Sequence, residues 1–258
     1  MLTHTRASKN GGYNIGNLGA WWADKRASDI TPKNCRAYAA GKTPAAARRD
    51  LEVLRAAVNY WHKHYGPLAS VPAIVMPPKP EPRDIWLSRK QAARLLWAAR
   101  HTPHLARFIL LGIYTGSRSG TILALRWEWI DLAAGVMRRK DPKESETKKR
   151  KPPVRLGRRI LAHLRRWKRI DGRRCPLVCH YDGQPVQKMR RSWHTAVRRA
   201  KLSSRITPHT LRHTRATWLM QKNIDPWEAA GHLGMSVEML TRVYGKHSPE
   251  FQKRAAEV

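Results

Sequence analysis

An imidazole, a guanidinium and a phenol stand within one stretch of this chain, TPHTLRHTRATWLMQKNIDPWEAAGHLGMSVEMLTRVY, residues 207–244. His209 and Arg212 are three apart, a spacing that puts both on one face of a helix. Tyr244 lies near the end of a second helical pattern that begins after Ser236. Arginine clamps phosphoryl oxygens, histidine moves protons, and tyrosine forms covalent esters. The trio therefore suits chemistry on a phosphodiester with a protein nucleophile.

The elements that must hold these groups are legible from local signals. Thr207-Pro208 predicts a helix start, with a capping hydroxyl and proline at the first helical position. Ser236 predicts a second cap. Upstream, 104–114 reads as an apolar helix ending at Thr115-Gly116, and 117–127 as a second helix with Arg118 in its first turn. An arginine there adds to the partial positive charge of the helix N-terminus and makes an anion site. The stretch 136–156 reads as a hairpin with a polar turn. It opens a run, 138–174, that holds 17 Lys and Arg against 4 Asp and Glu. So one-signed a run in a basic chain points to contact with phosphates. Basic helices are expected over 158–169 and 192–201, and a strand-turn over 178–186.

These residues resemble the tyrosine recombinases, or phage-type integrases. The resemblance lies in His209-Thr210-Leu211-Arg212, in Leu233-Gly234-Met235-Ser236, and in Tyr244 nine residues past Met235. It extends upstream to Thr115-Gly116-Ser117-Arg118 and to Leu125-Arg126-Trp127-Glu128-Trp129-Ile130-Asp131, and covers about 87–244. It implies that Tyr244 attacks a DNA phosphorus to give a 3′-phosphotyrosyl bond, with Arg118 and Arg212 offsetting the transition-state charge. It also implies His209 as general base and a hairpin lysine as general acid. Lys148 matches that lysine, with Lys140 the alternative if the strands pair differently. No cofactor or metal is required, because the bond energy is kept in the phosphotyrosine. Double-stranded DNA is the implied partner, with a homotetramer on it and an accessory DNA-bending factor, in the cytoplasm of a bacterium near its nucleoid. Met235 stands where the family usually has histidine or tryptophan, and a thioether is no donor. Thr121 stands where an acidic residue is frequent. Two other readings share the residues: a recombinase-like DNA-binding protein that cuts weakly or not at all, and a DNA-relaxing enzyme.

Bulk properties agree with a nucleic-acid partner. Among 258 residues, 51 Lys and Arg face 18 Asp and Glu, a formal charge of +33. Such a field draws polyanions, and no lipidation signal or amphipathic terminal helix favours a membrane. Cys35, Cys175 and Cys179 are too few for a disulfide framework, and the spacing to His180 is not that of a zinc site. A helical pattern over 17–66, with Leu51, Leu54, Val58, Trp61 and Tyr65 as its apolar stripe, precedes the proline-rich VPAIVMPPKPEPR at 71–83. The expected fold is mainly α with a small antiparallel β-sheet, in two domains that clamp DNA. They are a helical core-binding domain at 1–82 and an α+β tyrosine-recombinase catalytic domain at 83–258.

Overall fold

The structure, a computed structural model, describes residues 9–79, 84–142, 144, 151–249 and 253–256. The chain divides into two compact units, Met1–Pro82 and Arg83–Val258. It is mostly helical, with small antiparallel sheets.

The first unit packs α1 (Lys9–Trp22), α2 (Pro32–Ala40) and α3 (Pro44–His64) around Leu18, Ile30, Cys35, Tyr38 and Leu51. Thr43-Pro44 opens α3 as its sequence suggests, with proline in the first turn. Asp50 is buried on α3 and accepts from Tyr38 Oη at 2.7 Å and Lys42 Nζ at 3.0 Å, so its charge is met inside the unit. The expected apolar stripe of α3 is buried only at its start. Trp61 and Tyr65 are exposed and stack on each other at 4.9 Å between ring centroids.

In the second unit, α4 (Arg89–Ala98) begins with a capping box in which Ser88 and Gln91 bond each other's backbone N–H. Next come α5 (Pro103–Thr115), α6 (Ser119–Leu123), and the strands β1 (Ile130–Asp131), β2 (Val136–Met137) and β3 (Val154–Arg155). The strands pair antiparallel in the order β1-β2-β3, with Met137 opposite Val154. Then follow α7 (Arg158–Asp171), the two-stranded β4 (His180–Tyr181) and β5 (Gln184–Pro185), and α8 (Arg190–Arg199). The unit continues through α9 (Thr210–Gln221), α10 (Pro226–Leu233), α11 (Val237–Tyr244) and a last turn, α12 (Lys253–Ala256). The main core gathers Leu105, Phe108, Ile109, Leu111, Trp193 and Leu211 among others. Helices α5 and α9 approach so closely that a Cβ at Gly112 would meet Leu211 Cδ1 at 2.6 Å.

Two expected helices differ. The helix expected over 117–127 is only α6, because Leu125 and Trp127 are drawn into pairing with the segment before β4. Trp127 N donates to Pro176 O and Val178 N to Leu125 O, both at 2.9 Å. Arg118 consequently precedes α6 on extended backbone instead of lying in its first turn. The helix expected to open at Thr207-Pro208 starts at Thr210, and Thr210 Oγ1 accepts from Thr207 N at 3.0 Å, the reverse of the expected cap. Among the described residues, no helix is long and apolar enough to cross a membrane.

Candidate active site

Helices α9, α10 and α11 share a small core of Ala216, Met220, Ala229, Ala230, Leu233, Leu240 and Tyr244. Asp225 caps α10, and Ser236 caps α11 through Met239 N at 3.2 Å, as the sequence led one to expect. This trio of helices sets the phenol in place. Tyr244 is 7% exposed, its ring held in that core and its hydroxyl 2.7 Å from His213 Nδ1. His213 in turn lies edge-on to His209, 4.7 Å between ring centroids, one helical turn back along α9.

His213 was not singled out in the sequence. The signal was available: it stands beside Arg212 and four residues after His209, a spacing that shares the same helix face. His232 and His247, the other imidazoles near Met235 and Tyr244, are bound elsewhere. His232 Nε2 lies 3.2 Å from Tyr114 O, and His247 Nε2 lies 3.2 Å from Asp84 Oδ1. Met235 packs against the small core.

Arg212 is 5% exposed and faces backbone carbonyls. Its Nη1 donates to Gly116 O at 2.8 Å and Leu233 O at 2.6 Å, and Nη2 reaches Gly234 O at 3.4 Å. Those oxygens lie at the C-terminal ends of α5 and α10, where helix carbonyls are left over and the helix dipole favours a cation. The turn at Gly116 needs glycine. Its φ is +61°, and a Cβ there would meet Leu233 Cδ2 at 2.3 Å. Arginine at 212 thus stitches the Thr115–Arg118 turn to the Leu233–Ser236 turn, bringing the two sequence boxes together.

A second buried guanidinium, Arg139, sits two residues past β2 and is 4% exposed. Its Nε donates to Ser117 Oγ at 2.9 Å, and Nη2 to Thr115 O at 2.7 Å and His232 O at 2.6 Å. The basic run over 138–174 was read as phosphate-facing, and for this member the structure differs: strand pairing turns Arg139 inward. Lys148 lies outside the described residues.

Burial and mutual repulsion shape the electrostatics. Desolvation, then the Arg212 and Arg118 charges, brings Arg139 down to about 9. Desolvation and Arg118 bring Arg212 down to about 10. Desolvation lowers His209, with Arg212 and Arg118 adding to it. His213 falls to about 4 through desolvation, then His209 and Arg212, so its ring is neutral, and in the tautomer with the proton on Nε2 its Nδ1 accepts from the phenol. Desolvation pushes Tyr244 up to about 12, although Arg212 pulls it the other way. The arrangement is therefore a neutral phenol–imidazole pair beside a group of cations that repel one another. An anion entering among those cations relieves the repulsion.

The phage integrase family profile matches residues 86–250. The chain is 30% identical over 224 residues to IntQ of Escherichia coli (strain K12), a protein described as defective, covering 72% of this chain and 56% of IntQ. It is 26% identical over 208 residues to the integrase of Salmonella phage P22, covering 74% of this chain and 50% of that one. The chain thus spans about half the length of these curated relatives. Its fold matches a lambda integrase tetramer bound to a Holliday junction, with a TM-score of 0.74 and 22% identity over 97% of this chain and 76% of that one.

Proposed function

We propose that this chain, which belongs to the phage integrase family, is a site-specific DNA strand-transferase that cuts and rejoins duplex DNA through a covalent bond from Tyr244 to a 3′ phosphate. The observation that carries the reading is the 2.7 Å contact of the Tyr244 hydroxyl with a neutral His213, in the field of Arg212.

In this reading the Tyr244 oxygen attacks phosphorus as its proton passes to His213 Nδ1. Arg118 and Arg212 bind the non-bridging oxygens. Arg212 has both Nη1 hydrogens and one Nη2 hydrogen engaged with carbonyls, which leaves Nε and the second Nη2 hydrogen for the phosphate. The histidine expected as base, His209, makes its ring contact with His213 and is free to bond a phosphate oxygen. A lysine, Lys148 or Lys140, gives its proton to the departing 5′ oxygen as the P–O bond breaks. Attack by a 5′-hydroxyl then reverses the exchange and returns the proton. Phosphate charge among the arginines offsets the repulsion that weakens His213 as a base, so the substrate itself raises the basicity that its cleavage needs. Such oriented donors are each worth ~2.7–4 kcal/mol in comparable oxyanion sites.

The partner is double-stranded DNA, gripped by both units, with a homotetramer as the working assembly and salt-sensitive affinity. A DNA-binding member that does not cut is the second reading. Met235 and the likeness to a relative described as defective favour it. A nicked suicide duplex decides between them. The enzyme forms a covalent protein–DNA adduct that Tyr244→Phe abolishes; binding by the intact protein with no adduct establishes the second reading.

A further inference from the structure

Arg139 is a buried cation with no part in the scheme above, and every hydrogen-bond acceptor it has among the described residues is a neutral oxygen. These acceptors come from three separate pieces of chain. Thr115 O and Ser117 Oγ belong to the turn that leads into Arg118. His232 O belongs to the last turn of α10, just before the Leu233–Ser236 box. Pro152 O, at 3.3 Å from Nη1, belongs to the returning arm of the hairpin, two residues before β3. Arg139 itself is on the outgoing arm, two residues after β2.

We propose that Arg139 is a positioning residue that locks the base of the β2–β3 hairpin against the Arg118 turn and the end of α10, and so fixes the leaving-group acid relative to the cations that hold the phosphate. Both candidate lysines, Lys140 and Lys148, lie in sequence between Arg139 and Pro152, so the lock acts on either. The fork is what the task demands. Planar guanidinium nitrogens at fixed angles reach three directions at once, whereas an ammonium on a flexible stem holds no such geometry. Its charge has a second effect: it adds a second buried cation to Arg212 beside the half-buried Arg118, and an arriving phosphate relieves that repulsion as well.

This inference rests on the reading that a hairpin lysine protonates the departing 5′ oxygen. The experiment uses full-length protein and two suicide duplexes, one with the ordinary phosphodiester and one with sulfur as the bridging 5′ atom. A sulfur leaving group departs as thiolate and needs no proton, since a thiol's pKa is near 8.5. Arg139→Gln is expected to lose about 100-fold in adduct formation on the ordinary duplex, the scale of a general-acid contribution. On the sulfur duplex it should approach the wild-type rate, with DNA binding unchanged on both. Arg139→Lys, which restores charge without the fork, should show the same leaving-group-dependent loss.

A variant slow on both duplexes makes Arg139 a general structural residue and overturns the proposal. Full recovery by Arg139→Lys overturns it too, because charge alone would then suffice. Wild-type protein that forms no adduct on either duplex overturns the strand-transfer reading, and this inference with it. Wild-type adducts on both, with Arg139→Gln cutting both at the wild-type rate, sink the inference alone.

Discussion

Two buried arginine systems in the second unit are built on opposite principles. Arg107 on α5 donates to Asp171 Oδ2 at 2.6 Å, and His180 Nε2 meets the same oxygen at 2.9 Å. There the fold supplies its own carboxylate. Arg212 and Arg139 are as deeply buried, yet their acceptors among the described residues are carbonyls and one hydroxyl. Arg107 is neutralised internally, whereas Arg212, the phosphate-binding cation of the proposed function, is solvated by dipoles. Dipoles hold it in place without competing for the incoming anion. The first arrangement carries its counter-charge in the free protein; under the proposed function, the second receives one from its ligand.

The contrast can be broken in order of expected effect. Asp171→Ala strands Arg107 without a counter-charge and should cost about 3–5 kcal/mol in denaturant unfolding, as for a broken buried pair. Adduct formation by the folded fraction should not change. A stability loss of that size from Arg212→Met, with none from Asp171→Ala, would invert the assignment.

Anions give the next effect. A sulfate that binds the cation group should stabilise the wild type by about 2.7 kcal/mol at a hundred times its dissociation constant. Arg212→Met should keep only the general salting effect of sulfate, which acts on any fold. Equal thermal shifts in the two proteins would mean that the buried guanidiniums do not bind anions.

The last effect is on pH. His213 and His232, each lowered from 6.5 to about 4, bind fewer protons folded than unfolded. Their stabilisation is whole above pH 6.5 and is lost as pH falls toward about 4, because the unfolded chain takes up protons first. Urea midpoints across that window should decline with acid, and His213→Asn should flatten the decline in part. An unaltered slope would show that His213 titrates normally in the folded state.

What could be read from the sequence was local. The cap at Ser236 and the proline start of α3 depend on residues a few positions apart, and the chain carries them openly. The boxes around Arg118, Arg212 and Tyr244 were legible for the same reason. What was hidden depends on tertiary contact. Helix α6 stops early because a segment some fifty residues later in the chain pairs with Leu125 and Trp127. His213 acquires its importance from a phenol 31 residues away. Arg139 looked like one more member of a basic run, and its bond to His232 O spans 93 residues. No periodicity distinguishes a solvated arginine from one that strand pairing turns inward.

The tie between Asp84 and the segment just past the nucleophile has its own consequence. Asp84 Oδ2 meets Lys246 Nζ at 2.6 Å, while Oδ1 meets His247. The unit's entry and the exit of its tyrosine helix are thus fastened like the clasp of a bracelet, across 163 residues of chain. The Asp84–Lys246 half of the clasp is an exposed ion pair, which mobile electrolyte weakens. Ionic strength therefore reaches this molecule at the clasp as well as at its DNA-facing charges, loosening the backbone that carries the phenol.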